Sequence, residues 1–188
     1  DSSGNFPLHL ACSGLGGSLG ISPDINHCSA NEDRRRLECA RILLDVGKVP
    51  LSMKNSSKQT VLHCAARGGH CLLLEFLLNR WEKDERINAG PLWGGSKFDW
   101  QDRWFRTPVS WAVLHGKVNI LKILLDHGCT PNPRKPKISA KRTSAEVEAP
   151  LEICERLYCN TEIGKDIRNL LESDTSGPGP DVHKKGNA

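Results

Sequence analysis

Hydrophobic and polar residues alternate along this chain with a helical period that stops and restarts. Over Thr60–Asn79, Val61, Leu62, Ala65 and Ala66 fall on one helix face, and the pattern halts at Gly68-Gly69. A second face begins at once with Leu73, Leu74, Leu77 and Leu78. Two glycines between amphipathic segments permit a turn with positive φ, which folds the helices back on each other. One such pair has too little apolar surface to stand alone in water, so the pattern predicts neighbours of the same kind.

Three neighbours are present. Pro7-Leu8-His9-Leu10-Ala11, Val61-Leu62-His63-Cys64-Ala65, Thr107-Pro108-Val109-Ser110-Trp111-Ala112 and Ala149-Pro150-Leu151-Glu152-Ile153-Cys154 align. Each precedes a helix with paired apolar residues: Leu43-Leu44, Leu77-Leu78, Leu124-Leu125 and Leu170-Leu171. On these residues the chain resembles the ankyrin-repeat family, whose unit begins with a Thr-Pro-Leu-His-x-Ala element and ends in a leucine-rich helix. The copy running from Thr107 to Cys129 follows that unit almost throughout. The resemblance implies an all-α solenoid of about four stacked helix pairs, with long inserted loops and little or no β-sheet. It also implies a protein-binding module whose partner sits on the concave side made by finger loops and inner helices.

The copies are spaced more widely than the ~33 residues of the family unit, and each excess can be placed. The array is expected over 1–172, with repeats at about 1–48, 55–80, 102–130 and 147–172 and inserts at 14–33, 81–100 and 131–147. The first insert is rich in Gly, Ser, Asn and Pro, and the helix is expected to resume over Arg34–Val46. In the last copy Asp166 and Asn169 replace the apolar Ile120 and Ile123, as suits a terminal unit with a polar outer face. Leu37, Cys39 and Ala40 in the first copy suit a covered helix, which points to further repeats upstream. Residues 173–188 read as a flexible tail.

Composition excludes little and narrows the rest. In 188 residues the apolar share is 38%, and no run approaches the ~18 residues of a membrane span. The net charge of +4 is mild and scattered, so a nucleic-acid partner is not expected. None of the eight cysteines forms a C-x-x-C motif, and Cys12, Cys39, Cys64 and Cys154 lie at apolar helix positions. Reduced, mostly buried thiols are therefore expected, with no metal site and an intracellular, cytoplasmic or nuclear location.

Candidate chemistry is sparse. The glycine-rich run Gly14–Gly20 fits neither phosphate-loop motif, so no cofactor and no small-molecule substrate are expected. The resemblance implies that His9 and His63 bond to neighbouring backbone and tie units together; Ser110 and Glu152 replace them, which leaves that tie in doubt in the later copies. No histidine pairs with a nucleophile at motif spacing, so no catalytic residue is assigned.

The tryptophans carry the most information: all five fall between Trp81 and Trp111. Two readings stand, a private mini-core under a long loop and an exposed hot spot of aromatic and arginine residues. The second assigns partner contacts to Trp100, Arg103, Trp104, Phe105 and Trp111. Phe105 stands where the family places glycine, so a finger of altered shape is expected. A basic loop of Arg134, Lys135, Lys137, Lys141 and Arg142 forms a second candidate patch. Against the scaffold or adaptor reading stand two rivals: the recruiting or autoinhibitory arm of an enzyme whose catalytic domain lies elsewhere, and an inert spacer.

Overall fold

A computed structural model describes residues 1–13, 30–84, 96–133 and 148–173. Among these residues there are eight helices and no strand. They are α1 (Pro7–Ser13), α2 (Ala30–Asp45), α3 (Val61–Gly68), α4 (Cys71–Lys83), α5 (Pro108–Leu114), α6 (Val118–Asp126), α7 (Pro150–Tyr158) and α8 (Glu162–Ser173). Consecutive helices pack in pairs. The short helices α1, α3, α5 and α7 stack into one layer, and α2, α4, α6 and α8 stack into the other. The expected all-α solenoid of helix pairs is what the chain forms.

Local chemistry sets each helix start. Thr107 caps α5 by accepting from Ser110 N (3.3 Å), Pro108 fills the first turn where no N–H is needed, and Ser110 Oγ accepts from Thr107 N in return. At α3 the return bond comes from His63, whose Nδ1 accepts from Thr60 N at 3.1 Å. Gly69 ends α3 in the left-handed region (φ 79) and donates to the Ala65 carbonyl.

The core lies between the layers. Leu62, Leu73, Leu74, Leu77, Leu78, Leu121 and Leu124 have essentially no exposed surface, and each contributes roughly 2 kcal/mol by leaving water. At the C-terminal end Ile153, Ile167 and Leu171 turn inward, while Asp166 and Asn169 face solvent. Gly164 makes this last pair possible, because a Cβ there would stand 1.9 Å from the Tyr158 carbonyl oxygen.

Several expectations shift. Helix α2 begins at Ala30, not Arg34, and takes in the end of the first expected insert. Its Asp33 is buried and accepts from Leu72 N (2.8 Å) and Leu73 N (3.1 Å), capping the first turn of α4 in the next repeat. That bond repays burying a carboxylate early in a helix, where sequence composition alone reads as loop. Trp81 belongs to α4 and is buried. Cys39 is exposed, together with Phe6, Leu10, Ile42 and Val46 on the outer side of the first pair. Among the described residues the cysteines are free; Cys12, Cys64, Cys129 and Cys154 are buried, and burial pushes the Cys64 thiol up to about 11. Leu72 is exposed.

Candidate functional site

The finger before α5 is built on one carboxylate. Asp102 Oδ1 accepts from Trp104 N (2.8 Å) and Arg106 N (3.0 Å), and its Oδ2 accepts from the Trp111 indole Nε1 (2.9 Å). The turn this closes needs a left-handed residue, and Phe105 supplies it with φ 61. The expected change of finger shape does not occur: three hydrogen bonds to Asp102 hold a side chain where glycine is usual. The finger before α3 repeats the design, with Asn55 Oδ1 accepting from Ser57 N and Gln59 N and Lys58 at φ 61. In the first finger Asp1 Oδ1 accepts from Ser3 N and Asn5 N, with Gly4 at φ 66.

Neighbouring fingers are tied through their backbones, and Asn55 Nδ2 also donates to Asn5 Oδ1 at 2.8 Å. Ser56 N donates to Ser3 O (3.2 Å) and Arg103 N to Ser57 O (2.9 Å). Beneath them His9 Nε2 donates to Gln59 O (3.0 Å) and His63 Nε2 to Arg106 O (3.1 Å). Burial holds the His63 ring down at about 4, so it is neutral and its Nε2–H is committed to Arg106. Ser110 is too short to repeat this tie and bonds only within its own cap; the last repeat is joined instead by Tyr158 Oη donating to Leu114 O (3.2 Å).

Around this frame the predicted site residues separate into two groups. Trp111, nearly buried, is the centre of the first: Arg106 (5.5 Å) and Arg67 (5.8 Å) lie over its ring, His115 stacks on it (5.6 Å), and Trp104 meets it edge-on (6.4 Å). Arg103 lies over Trp104 at 5.2 Å, and Trp104 keeps 42% of its surface exposed. Burial, with Arg67, Lys117 and Arg106 nearby, holds His115 down at about 4.

Trp100 belongs to the second group. It is half-buried beneath Lys54 Nζ at 4.0 Å, and its indole Nε1 is buried without a partner. Beside it Phe98 is buried, and the buried Asp99 accepts from Ser96 N, Thr130 N and Thr130 Oγ1. Burial raises Asp99 to about 6 against these bonds. The aromatic segment therefore divides between packing (Trp81, Phe98, Trp100) and surface (Trp104). Trp93 and the basic patch of Arg134, Lys135, Lys137, Lys141 and Arg142 lie outside the described residues.

Sequence reasoning missed Asp102, Arg67 and His115. Asp102 was within reach, because Asp1, Asn55 and Asp102 stand at the same distance before Pro7, Val61 and Pro108. His115 lies one helical turn after Trp111 in the same repeat, whereas Arg67 comes from the preceding repeat and reaches Trp111 only through the stacking of α3 on α5. Among the described residues no cluster of His, Cys, Asp and Glu has the grouping of a metal site, and no helix is long and apolar enough to cross a membrane.

Two layers of helix pairs joined by hydrogen-bonded fingers define a helical repeat protein. A model of ankyrin repeats in many copies matches residues 25–78, and a model of the single ankyrin repeat matches residues 105–136. The chain is similar to the crystal structure of the human ASB11 ankyrin repeat domain, with TM-score 0.52 and 17% identity over 90% of this chain and 54% of that one. At that identity the likeness is one of fold, and the chain spans about half the length of that domain. No curated protein sequence matches it. Residues 25–78 and 105–136 thus carry ankyrin repeats within an ankyrin-type all-α fold, and ankyrin repeats are generally protein–protein interaction modules.

Proposed function

We propose that this chain is a scaffold or adaptor module, not an enzyme, and that it grips a partner protein on the face shared by the third finger and the inner helices. The observation that supports this is the Trp104–Trp111 cluster. Trp104, 42% exposed, meets the buried Trp111 edge-on and lies under Arg103, which makes an accessible aromatic-and-arginine surface. Trp and Arg are the side chains over-represented at energetic hot spots, and Trp104, Trp111, Arg103 and Arg106 supply both types on a hydrogen-bonded frame. Phe105, half-buried in the same turn, shapes the finger; Trp100 packs beneath Lys54 and supports it. Both ring nitrogens of His63 are committed to bonds within the frame, and burial raises the pKa of the thiols of Cys12, Cys64 and Cys129, which favours binding over catalysis. Free thiols among the described residues support an intracellular setting.

The test is affinity capture of the partner from cell extract, followed by titration of the purified partner against the parent chain and Trp104→Ala. Because Trp104 is exposed, its truncation leaves the fold intact. We expect affinity to fall at least about tenfold, the loss of one aromatic hot spot; unchanged affinity refutes the face.

A further inference from the structure

Resting on that reading, we propose that the partner presents an acidic peptide segment, its carboxylates received by Arg67, Arg103 and Arg106 and its apolar flank laid on Trp104. The arginines at this face differ from three paired ones elsewhere on the molecule. Arg36 pairs with Glu32, Arg80 with Asp45 and Arg156 with Glu148, all at 2.7 Å or less. Arg67, Arg103 and Arg106 instead lie over indole rings, and among the described residues no carboxylate approaches them to salt-bridge distance. A guanidinium held over an aromatic face is already partly desolvated and fixed in orientation, so it loses little on receiving a carboxylate.

The local field agrees. The charged groups that act on the His115 ring are Arg67, Lys117 and Arg106, all cations. The negative charge nearest the cluster is Asp102, which lies buried beneath the finger with both oxygens engaged by Trp104, Arg106 and Trp111. Glu148, whose carboxylate also feels the Arg106 charge, is engaged by Arg156. The result is a surface of three arginines with aromatic walls, whose neighbouring carboxylates Asp102 and Glu148 are bonded to other groups and form no ion pair with them, complementary to Asp or Glu side chains next to an apolar residue.

A labelled Glu-rich peptide containing one Leu tests this, alongside its Gln and Lys counterparts and a single-stranded oligonucleotide, each titrated by fluorescence anisotropy against the full chain. We expect only the Glu peptide to bind strongly. Its affinity falls about tenfold or more on raising salt from low to physiological ionic strength, because exposed charges are screened. The Arg67→Gln, Arg106→Gln double variant weakens it by a similar factor. Arg80→Gln, on the opposite layer and already paired, leaves it unchanged, and urea unfolding verifies that each variant is folded. Equal binding of the Gln peptide, preference for the oligonucleotide, no binding of the Glu peptide, or an unaffected double variant overturns the proposal. If the Glu peptide fails while Trp104→Ala still weakens the captured partner, the acidic assignment falls and the face stands. If Trp104→Ala has no effect on that partner, the face itself falls.

Discussion

His63 Nε2 stands 3.1 Å from the carbonyl oxygen of Arg106, forty-three positions on in the chain, and joins the second repeat to the finger of the third. The same ring accepts from Thr60 N through Nδ1, so one buried side chain satisfies a donor in its own repeat and an acceptor in the next. Replacing it leaves both backbone groups buried without partners, at roughly 1–3 kcal/mol each. His63→Ala is therefore expected to lower unfolding free energy by about 3 kcal/mol in a urea titration. Ser110→Ala, at the equivalent place without an inter-repeat bond, should cost about 1 kcal/mol or less. Equal losses at the two positions would mean that the His63 tie carries no weight.

Acid acts on this tie and on Asp99 in opposite directions. The His63 ring titrates near 6.5 when unfolded and at about 4 when folded. Between those values the unfolded chain binds more protons, so this contribution is whole above pH 6.5 and is lost as pH falls toward 4. Asp99 titrates near 3.8 unfolded and at about 6 folded, so its contribution is whole below 3.8 and is lost as pH rises through 6. Each amounts to about 3 kcal/mol at its limit. Asp99→Asn removes the term that opposes acid loss. Its stability is expected to drop between pH 7 and pH 4 by about 2 kcal/mol more than the parent's does, as read from urea midpoints at both pH values. Parallel pH profiles would show that Asp99 is not held protonated by burial.

Asp33 offers a separate test of coupling between repeats. Its carboxylate bonds to the first amides of α4, where the helix dipole also favours negative charge. Asp33→Ala removes both bonds from a buried site and is expected to cost about 2 kcal/mol. Asp33→Asn keeps one acceptor oxygen and should lose about half as much. Amide hydrogen exchange at Leu72 and Leu73 reads the effect locally: it should quicken in both variants, most in Ala, and unchanged protection would remove the capping role.

How much of this was legible beforehand depends on whether a residue's partner lay inside its own repeat. Leu73, Leu74, Leu77 and Leu78 declare their face by spacing alone, because helix periodicity is a local property. The His9 and His63 ties followed from their place in the repeated unit. Asp33 could not be read, since its partners are Leu72 and Leu73 of the next repeat. The same holds for Arg67, which reaches Trp111 only because α3 packs on α5. Trp104 was marked as a hot-spot residue from composition, but composition could not separate it from Trp100, since which ring stays exposed is settled by packing.

Phe105 was expected to change the finger and instead conforms to it. At φ 61 it occupies the conformation that Lys58 (φ 61) and Gly4 (φ 66) hold in the preceding fingers. An L-residue pays roughly 1–2 kcal/mol there, less for Asn and most for β-branched side chains. Burial and backbone preference therefore make opposite predictions at this position. Val is the more apolar replacement and should be better if the half-buried ring matters chiefly as covered surface. Asn should be better if the turn is the constraint, because its short side chain tolerates the left-handed region. The three bonds to Asp102 fix the turn, so we expect Phe105→Asn to be more stable than Phe105→Val by about 1 kcal/mol in urea unfolding. The reverse order would show that the finger can relax out of the left-handed turn and that Asp102 does not hold it there.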